Sequence, residues 1–157
     1  MPADISAKPT GLVIDEATHI LRFTRTLDAP PAIVFEAWTN PDQMRCWWDP
    51  DGVPLVVCEI DLRPGGGFAF ATANHIDRPF SGIYREIDPP SRLVFEALQS
   101  TGRMLLQRVE GKTRMVVEIQ CGSAEHLAQF VQMGVANGTS RTLDNLVAYI
   151  QRQGVTA

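Results

Sequence analysis

The side chains that could do chemistry in this chain are few, and they do not group into a known catalytic pattern. The three histidines, His19, His75 and His126, lie far apart in sequence and lack zinc-ligand spacing. The sequence contains neither the GxSxG of a hydrolase nucleophile nor the HExxH of a zinc protease. We therefore predict no metal site and no cofactor, and we assign no catalytic residue.

The three cysteines also fail to form a pattern. Cys46, Cys58 and Cys121 match neither a zinc site nor a CxxC redox motif. In a chain without a secretion signal they are expected to be reduced and mostly buried thiols. A nucleophilic cysteine needs a basic partner, and the sequence indicates none.

Proton transfer leaves three candidates, Asp61, Tyr84 and Arg25. Asp61 alternates against the stronger apolar side of its segment, so an outward or turn position is favoured over an acid–base role. Arg25 shares the apolar side of its strand with Phe23 and Leu27. It is either a strand-end charge that reaches solvent or a cavity cation awaiting a carboxylate, and the first interpretation is favoured.

The aromatic residues form a more suggestive group. All three tryptophans, Trp38, Trp47 and Trp48, fall within eleven residues. Trp38 lies on the apolar stripe of a predicted helix, which is typical of core packing. Trp47 and Trp48 lie where two short helices meet the sheet, so a core role and a ligand-wall role are equally favoured.

Composition places these residues in one ordinary globular domain. The chain has 157 residues and a net charge of −4, and it has no basic run that would bind a nucleic acid backbone. No apolar run approaches the ~20 residues of a membrane helix, and the start lacks a signal-peptide layout. We expect a cytoplasmic protein with a loosely ordered arm over residues 1–17 and a single domain over 18–157.

Period-two alternation predicts seven strands joined by short turns, which indicates an antiparallel meander. After the first strand, Asp28 and Asn40 are predicted to cap two proline-started helices. The segment at 79–88 is ambiguous and is either buried on both faces or bulged at Gly82. The predicted strands span 19–28, 53–62, 66–75, 79–88, 91–99, 103–109 and 112–121.

The last predicted element is a helix from Ser123 to about Arg152. Its two apolar stripes, one around Leu127, Phe130 and Val131 and one around Leu143–Ile150, are centred roughly 150° apart. We therefore expect a kink or break near Gly138, or a first half that packs on a different partner. An exposed first stripe would favour a homodimer or a protein-binding role.

Several segments, in this order, resemble the activator-of-heat-shock-protein-90-ATPase-like branch of the START-like (SRPBCC, Bet v 1-like) superfamily. They are TRTLDAPPAIVFEAWTNPDQMRCWW, EIDLRPGGGFAF, SGIYREIDPPSRLVFE, KTRMVVEIQ and MGVANGTSRTLDNLVAYI. The resemblance covers about residues 19–152. It implies an α+β helix-grip fold, in which a curved seven-stranded antiparallel sheet wraps around a long C-terminal helix and a hydrophobic cavity.

The sequence departs from the family pattern at two places. Asp49 stands where the family often has the glycine of WWGP, which adds a charge that would favour polar or cationic ligand ends. Val135 and Thr139 replace two tryptophans that are frequent in the last helix. If these two side chains face the cavity, the pocket is wider or more open than is usual for the family.

The resemblance implies binding of a small hydrophobic ligand in a cavity between the sheet and the last helix. A polyketide cyclase or aromatase type of enzyme is one alternative, since the superfamily includes such enzymes. A protein-interaction or co-chaperone-like role is another alternative. Chaperone activation itself is disfavoured, because the family's co-chaperone has an additional N-terminal domain for which we expect no room in this chain. Tyr84 and Arg25 would orient the ligand. The predicted cavity walls are Trp38, Trp47, Trp48, Phe70, Tyr84, Phe95, Met115 and Val135.

Overall fold

The computed structural model describes the backbone of residues 11–156 and the side chains of residues 11–153. Its strands are β1 (Leu12–Asp15), β2 (Ile20–Leu27), β3 (Val57–Ile60), β4 (Gly67–Ala71), β5 (Phe80–Asp88), β6 (Arg92–Ala97), β7 (Ser100–Val109) and β8 (Lys112–Gln120). Its helices are α1 (Pro31–Thr39), α2 (Pro41–Trp47), α3 (Ala124–Gln132) and α4 (Val135–Thr156), with a short 3-10 turn at Ala73–His75.

All eight strands form one open antiparallel sheet in the order β1-β2-β8-β7-β6-β5-β4-β3. The seven predicted strands are all present, but the predicted count of seven is wrong because the sheet has an eighth strand. Leu12 is buried and pairs with Phe23, so residues 12–15 of the predicted arm form an edge strand. Residues 1–10 of that arm lie outside the described residues.

Two proline-started helices follow β2, as predicted, but only one of the predicted caps is present. The Asn40 side chain accepts a hydrogen bond from the Asp42 backbone N–H at 2.9 Å and caps α2. The cap predicted at Asp28 is wrong, because α1 begins after Pro30 and no side chain caps it. Pro31 in the first turn costs no hydrogen bond, since its position has no helical acceptor.

The predicted single helix is divided at Gly134, earlier than the predicted position near Gly138. Gly134 has φ +83°, a left-handed conformation that ends α3 and lets α4 start in a new direction. The break separates the two apolar stripes. Leu127 and Phe130 are buried, so the first stripe is largely covered rather than exposed, although Val131 remains exposed.

Two glycines within strands leave room for aromatic rings on the sheet. A Cβ atom at Gly82 would lie 2.5 Å from Cζ of Phe68, and one at Gly102 would lie 2.3 Å from Cε2 of Phe95. Each glycine is the cross-strand partner of the ring that covers it. The bulge predicted at Gly82 lies instead between Tyr84 and Glu86, where the register with β6 shifts.

The core lies between α4 and the sheet. Leu143, Leu146 and Ile150 on α4 are almost fully buried, as are Leu21 and Phe23 on β2. α4 packs against β2, α2 and α3. This arrangement confirms the predicted α+β helix-grip fold. Over residues 11–156, no helix combines the length and apolar character that crossing a bilayer demands.

Candidate functional site

A cavity of about 320 Å³ lies between the start of α4 and the β5–β8 part of the sheet. This volume falls at the lower end of the range for small-molecule sites. Helices α1 and α2 and the end of α3 complete the wall. The lining residues are Trp38, Trp47, Trp48, Pro50, Phe80, Phe95, Ala97, Leu98, Ser100, Gly102, Val117, Ile119, Phe130, Val135, Gly138, Thr139, Thr142 and Leu143.

Small side chains on one face of α4 leave this space open. Val135, Gly138, Thr139 and Thr142 are spaced at helical intervals, so they share a face, and all four line the cavity. Val135 and Thr139 are the two positions where the sequence lacks the tryptophans frequent in the family it resembles. Their placement therefore gives a direct reason for the open volume at this end of the helix.

The three tryptophans all contribute to the wall of the cavity. The ring centroids of Trp38 and Trp47 lie 5.3 Å apart in an edge-to-face arrangement. The Trp48 ring lies 5.4 Å from that of Phe70 and 5.3 Å from that of Phe80. Trp38 is buried, as its position on the apolar stripe predicted. Trp47, for which the sequence left core and wall positions open, is buried and also lines the cavity.

A second, much smaller cavity of about 40 Å³ lies behind these rings. It has space for no more than a few water molecules. Trp38, Trp48, Phe80 and Phe95 border both cavities, so a ligand in the larger one would contact rings that also enclose the smaller one. The other lining residues of the smaller cavity are Met44, Phe68, Phe70, Tyr84 and Leu93.

The indole N–H groups of Trp38 and Trp47 differ in their hydrogen bonding. Trp47 Nε1 donates to the backbone oxygen of Ala37 at 3.2 Å. Trp38 Nε1 is buried and has no hydrogen-bond partner among the described residues. Buried polar groups are almost always hydrogen-bonded, so this donor is unusual.

The loop after α2 is attached to α4 by hydrogen bonds to its backbone. Thr142 Oγ1 donates to the carbonyl oxygen of Trp48 at 2.9 Å, and Asn145 Nδ2 donates to that of Asp49 at 2.9 Å. Arg141 also forms an ion pair with Asp51. These contacts fix the backbone that carries Trp48, and therefore fix one wall of the cavity.

The position of Asp49 beside the two tryptophans suggested that its carboxylate would face a ligand, but the carboxylate is bonded to its own loop. Its Oδ2 atom accepts hydrogen bonds from the backbone N–H groups of Asp51 at 3.0 Å and Val53 at 3.1 Å. This pattern closes a turn. The predicted preference for polar or cationic ligand ends therefore has no support from Asp49.

The ionisable groups near the aromatic cluster are held in their neutral forms. Burial raises the pKa of the Tyr84 hydroxyl far above its usual value, and Tyr84 lines the smaller cavity. Burial also raises the pKa of Cys58 to about 11, so its thiol stays protonated near neutral pH. A nucleophilic role for Cys58 would need the opposite shift.

Arg25 does not line the aromatic cavity. It lies in a separate groove beside β1, where its Nε donates to Asp144 at 2.9 Å and one terminal nitrogen donates to Ser140 Oγ at 2.7 Å. Its side chain is only 10% exposed. Of the two interpretations left open by the sequence, neither holds, because the carboxylate that Arg25 binds belongs to α4 and fixes the helix to β2.

Met115 and Asp61 also lie away from the cavity. Met115 is fully buried between its strand partners Arg25 and Leu106 and is not among the residues that line the cavity. Asp61 is exposed and pairs with Arg63, in agreement with its predicted outward or turn position. The described residues place no three His, Cys, Asp or Glu side chains close enough together to hold a metal ion.

Sequence reasoning missed several wall residues on the sheet. Val117 and Ile119 share the inward face of β8 with Met115, and they line the cavity. The alternation of apolar residues identified this face correctly. It does not indicate which residues along the strand lie opposite the cavity. Phe80, Phe130 and Thr142 were also missed, because their roles depend on how separate elements pack.

Comparison with known families gives a match over most of the chain. The model of the family described as "Activator of Hsp90 ATPase homolog 1-like protein" matches residues 28–151. Among curated proteins, none matches the chain.

Several solved structures share the fold. A protein from Nitrosomonas europaea has 22% sequence identity and a TM-score of 0.77, covering 87% of this chain and 96% of that one. A Mycobacterium smegmatis protein has 24% identity and a TM-score of 0.75, with coverage of 92% and 98%. CalU16 from Micromonospora echinospora has 23% identity and a TM-score of 0.61, with coverage of 87% and 79%. At these identities the likeness supports the fold alone.

Proposed function

The chain belongs to the Activator of Hsp90 ATPase homolog 1-like family, and from that premise we propose that it binds a small hydrophobic molecule between α4 and the sheet. The observation that carries the proposal is the cavity of about 320 Å³ and its aromatic wall. Burying apolar ligand surface against such a wall is favourable at about 25 cal/mol per Å².

The chemistry of the lining favours an uncharged ligand. Among the described residues that line the larger cavity there is no Asp, Glu, His, Lys or Arg, and the polar side-chain groups are three hydroxyls and the tryptophan indole N–H groups. Two of these hydroxyls already donate to backbone oxygens, Ser100 to Ala97 and Thr142 to Trp48. An ionised ligand group would lose its hydration there without gaining a partner of opposite charge.

Native mass spectrometry of freshly purified protein tests the proposal. We expect an additional mass that is lost on denaturation, and we expect Val135→Trp to lack it because the new ring would fill the cavity. Met133→Trp is the matched control. Met133 is 70% exposed, so this substitution adds the same ring outside the cavity. The proposal would be contradicted if every preparation showed only the mass of the protein without ligand and if calorimetry detected no binding of methyl naphthyl ketone.

The enzyme alternative, of the polyketide cyclase or aromatase type, is favoured by one observation. Tyr84 places a hydroxyl at the smaller cavity, and a positioned tyrosine hydroxyl is one of the groups that can transfer a proton in catalysis. The test is a Tyr84→Phe variant. Under the binding proposal, the Tyr84→Phe protein still carries the additional ligand mass, and neither it nor the wild type converts the bound compound. Turnover of a bound compound by the wild type that Tyr84→Phe abolishes would favour the enzyme.

A further inference from the structure

The unpartnered indole N–H of Trp38 is the one polar feature of the site that packing does not explain. Trp47 has the same side chain in the same cluster, and its N–H is bonded to the Ala37 carbonyl. The centroid distance of 5.3 Å places the two rings in direct contact, yet only one donor is used by the fold. A buried donor without a partner loses its hydration and gains nothing in return.

The Trp38 ring is well placed to meet a ligand. It borders both the larger and the smaller cavity. Neighbouring side chains shield Nε1 itself, so an acceptor would reach it only if the indole or those side chains moved. The ring borders the larger cavity, and its contact with Phe95 is tilted, with the centroids 6.5 Å apart.

We propose that Trp38 Nε1 is the hydrogen-bonding anchor of the site, and that the ligand is a neutral, largely aromatic molecule with a carbonyl-type acceptor oxygen. An acceptor follows because an indole nitrogen can only donate. Neutrality follows because the described residues that line the larger cavity include no cation to balance a carboxylate. Aromatic character follows from the ring-lined wall, which favours edge-to-face and offset contacts. This inference rests on the proposed function and specifies its ligand class.

The first test compares two probes of almost equal shape, methyl naphthyl ketone and isopropylnaphthalene, by calorimetry. Only the ketone carries an acceptor. In Trp38→Phe we expect the ratio of ketone affinity to hydrocarbon affinity to fall by about tenfold, the effect of losing one good hydrogen bond. In Trp47→Phe, which removes the same atoms from a donor that is already bonded, we expect the ratio to stay within about twofold of the wild type.

A second readout uses the wild-type chain and does not depend on the folding of a variant. Proton–nitrogen correlation spectra contain indole N–H cross-peaks from the three tryptophans. The Trp38 peak is identified through Trp47→Phe and Trp48→Phe by elimination. We expect it to move downfield with the ketone and to remain nearly in place with isopropylnaphthalene.

The outcomes separate the two proposals. Suppose that both probes bind the wild type, that the ratio of ketone affinity to hydrocarbon affinity is unchanged in Trp38→Phe, and that the Trp38 cross-peak does not shift when the ketone binds. The anchor is then overturned and the binding function stands. If neither probe binds the wild type, the ligand class and the anchor are both overturned. A ratio that falls equally in Trp47→Phe and Trp38→Phe would show a packing effect and would also overturn the anchor.

Discussion

The two halves of α4 pack against the same sheet in opposite ways. In the second half, Leu143, Leu146 and Ile150 have 1%, 0% and 1% of their surface exposed and fill the space beneath them. In the first half, Val135, Gly138 and Thr139 face a cavity of about 320 Å³. Leu143 lies at the boundary, since it is fully buried and also lines the cavity.

Side-chain size along one helix face therefore separates the closely packed part of this molecule from the part that faces the cavity. Close packing at the second half contributes the dispersion and burial terms that stabilise the domain. The open half forgoes such contacts, which leaves volume that a ligand can fill. The sheet under both halves is continuous, so the difference does not require a change of fold.

The largest expected effect is on stability at the packed end. Leu146→Ala should lower the free energy of unfolding by about 2–5 kcal/mol, because the surrounding core cannot collapse fully into the space left. Denaturant unfolding measures the loss. Val135→Ala at the open end is the control and should cost less than about 1 kcal/mol, since Val135 already faces a cavity. Equal losses would contradict the contrast between the two halves.

Filling the open end should remove binding without destabilising the fold. Thr139→Trp places a large ring in the cavity, and we expect the affinity for methyl naphthyl ketone to fall at least about tenfold, with the free energy of unfolding unchanged or raised. Calorimetry and denaturant unfolding measure the two quantities. Thr139→Ala keeps the cavity open and should bind the ketone. Full affinity in Thr139→Trp would locate the probe elsewhere.

A smaller effect is expected from the sheet side of the cavity. A Cβ atom at Gly102 would displace the Phe95 ring, which borders the cavity. Gly102→Ala should therefore lower ketone affinity by about three- to tenfold and stability by about 1–3 kcal/mol. A Cβ atom at Gly82 would meet the backbone oxygen of Glu96 first and then the Phe68 ring, neither of which lines the larger cavity, so Gly82→Ala should lower stability more than ketone affinity. A binding loss shared by both variants would show that the whole sheet has shifted.

The smallest effect concerns the bond between α4 and the Trp48 backbone. Thr142→Val keeps the side-chain shape and removes the donor to the Trp48 carbonyl, so unfolding should become easier by about 0.5–1.5 kcal/mol. Thr142→Ser retains the donor and should lose less. Thermal and denaturant unfolding measure the difference. A Thr142→Val protein as stable as the wild type would show that Asn145, the Arg141–Asp51 ion pair and packing suffice to hold the loop.

Local patterns in the sequence predict much of this fold because they act over a few residues. The Asn40 cap and the alternation that places Val117 and Ile119 inward are properties of neighbouring residues. The edge strand at Leu12–Asp15 was missed because a segment of four residues is too short to show a period-two alternation. The break at Gly134 was misplaced because the sequence offers two glycines, and only the folded backbone distinguishes the one with positive φ.

The site is less predictable, because it depends on distances between elements. Arg25 has the parity of a cavity residue, but the carboxylate of Asp144, far away in sequence, holds it in another groove. Met115 is on the correct face of β8 but at the wrong height. The free donor of Trp38 depends on which acceptors the packed elements bring near its Nε1 atom, which no local pattern encodes.

The concentration of all three tryptophans in one wall has a practical consequence. Indole emission depends on the polarity of its surroundings and on nearby quenchers. In this chain, every indole borders the same cavity, so the tryptophan fluorescence of the protein comes from that one place. The molecule thus carries its own optical reporter, and a compound entering the cavity alters the spectrum without any added label.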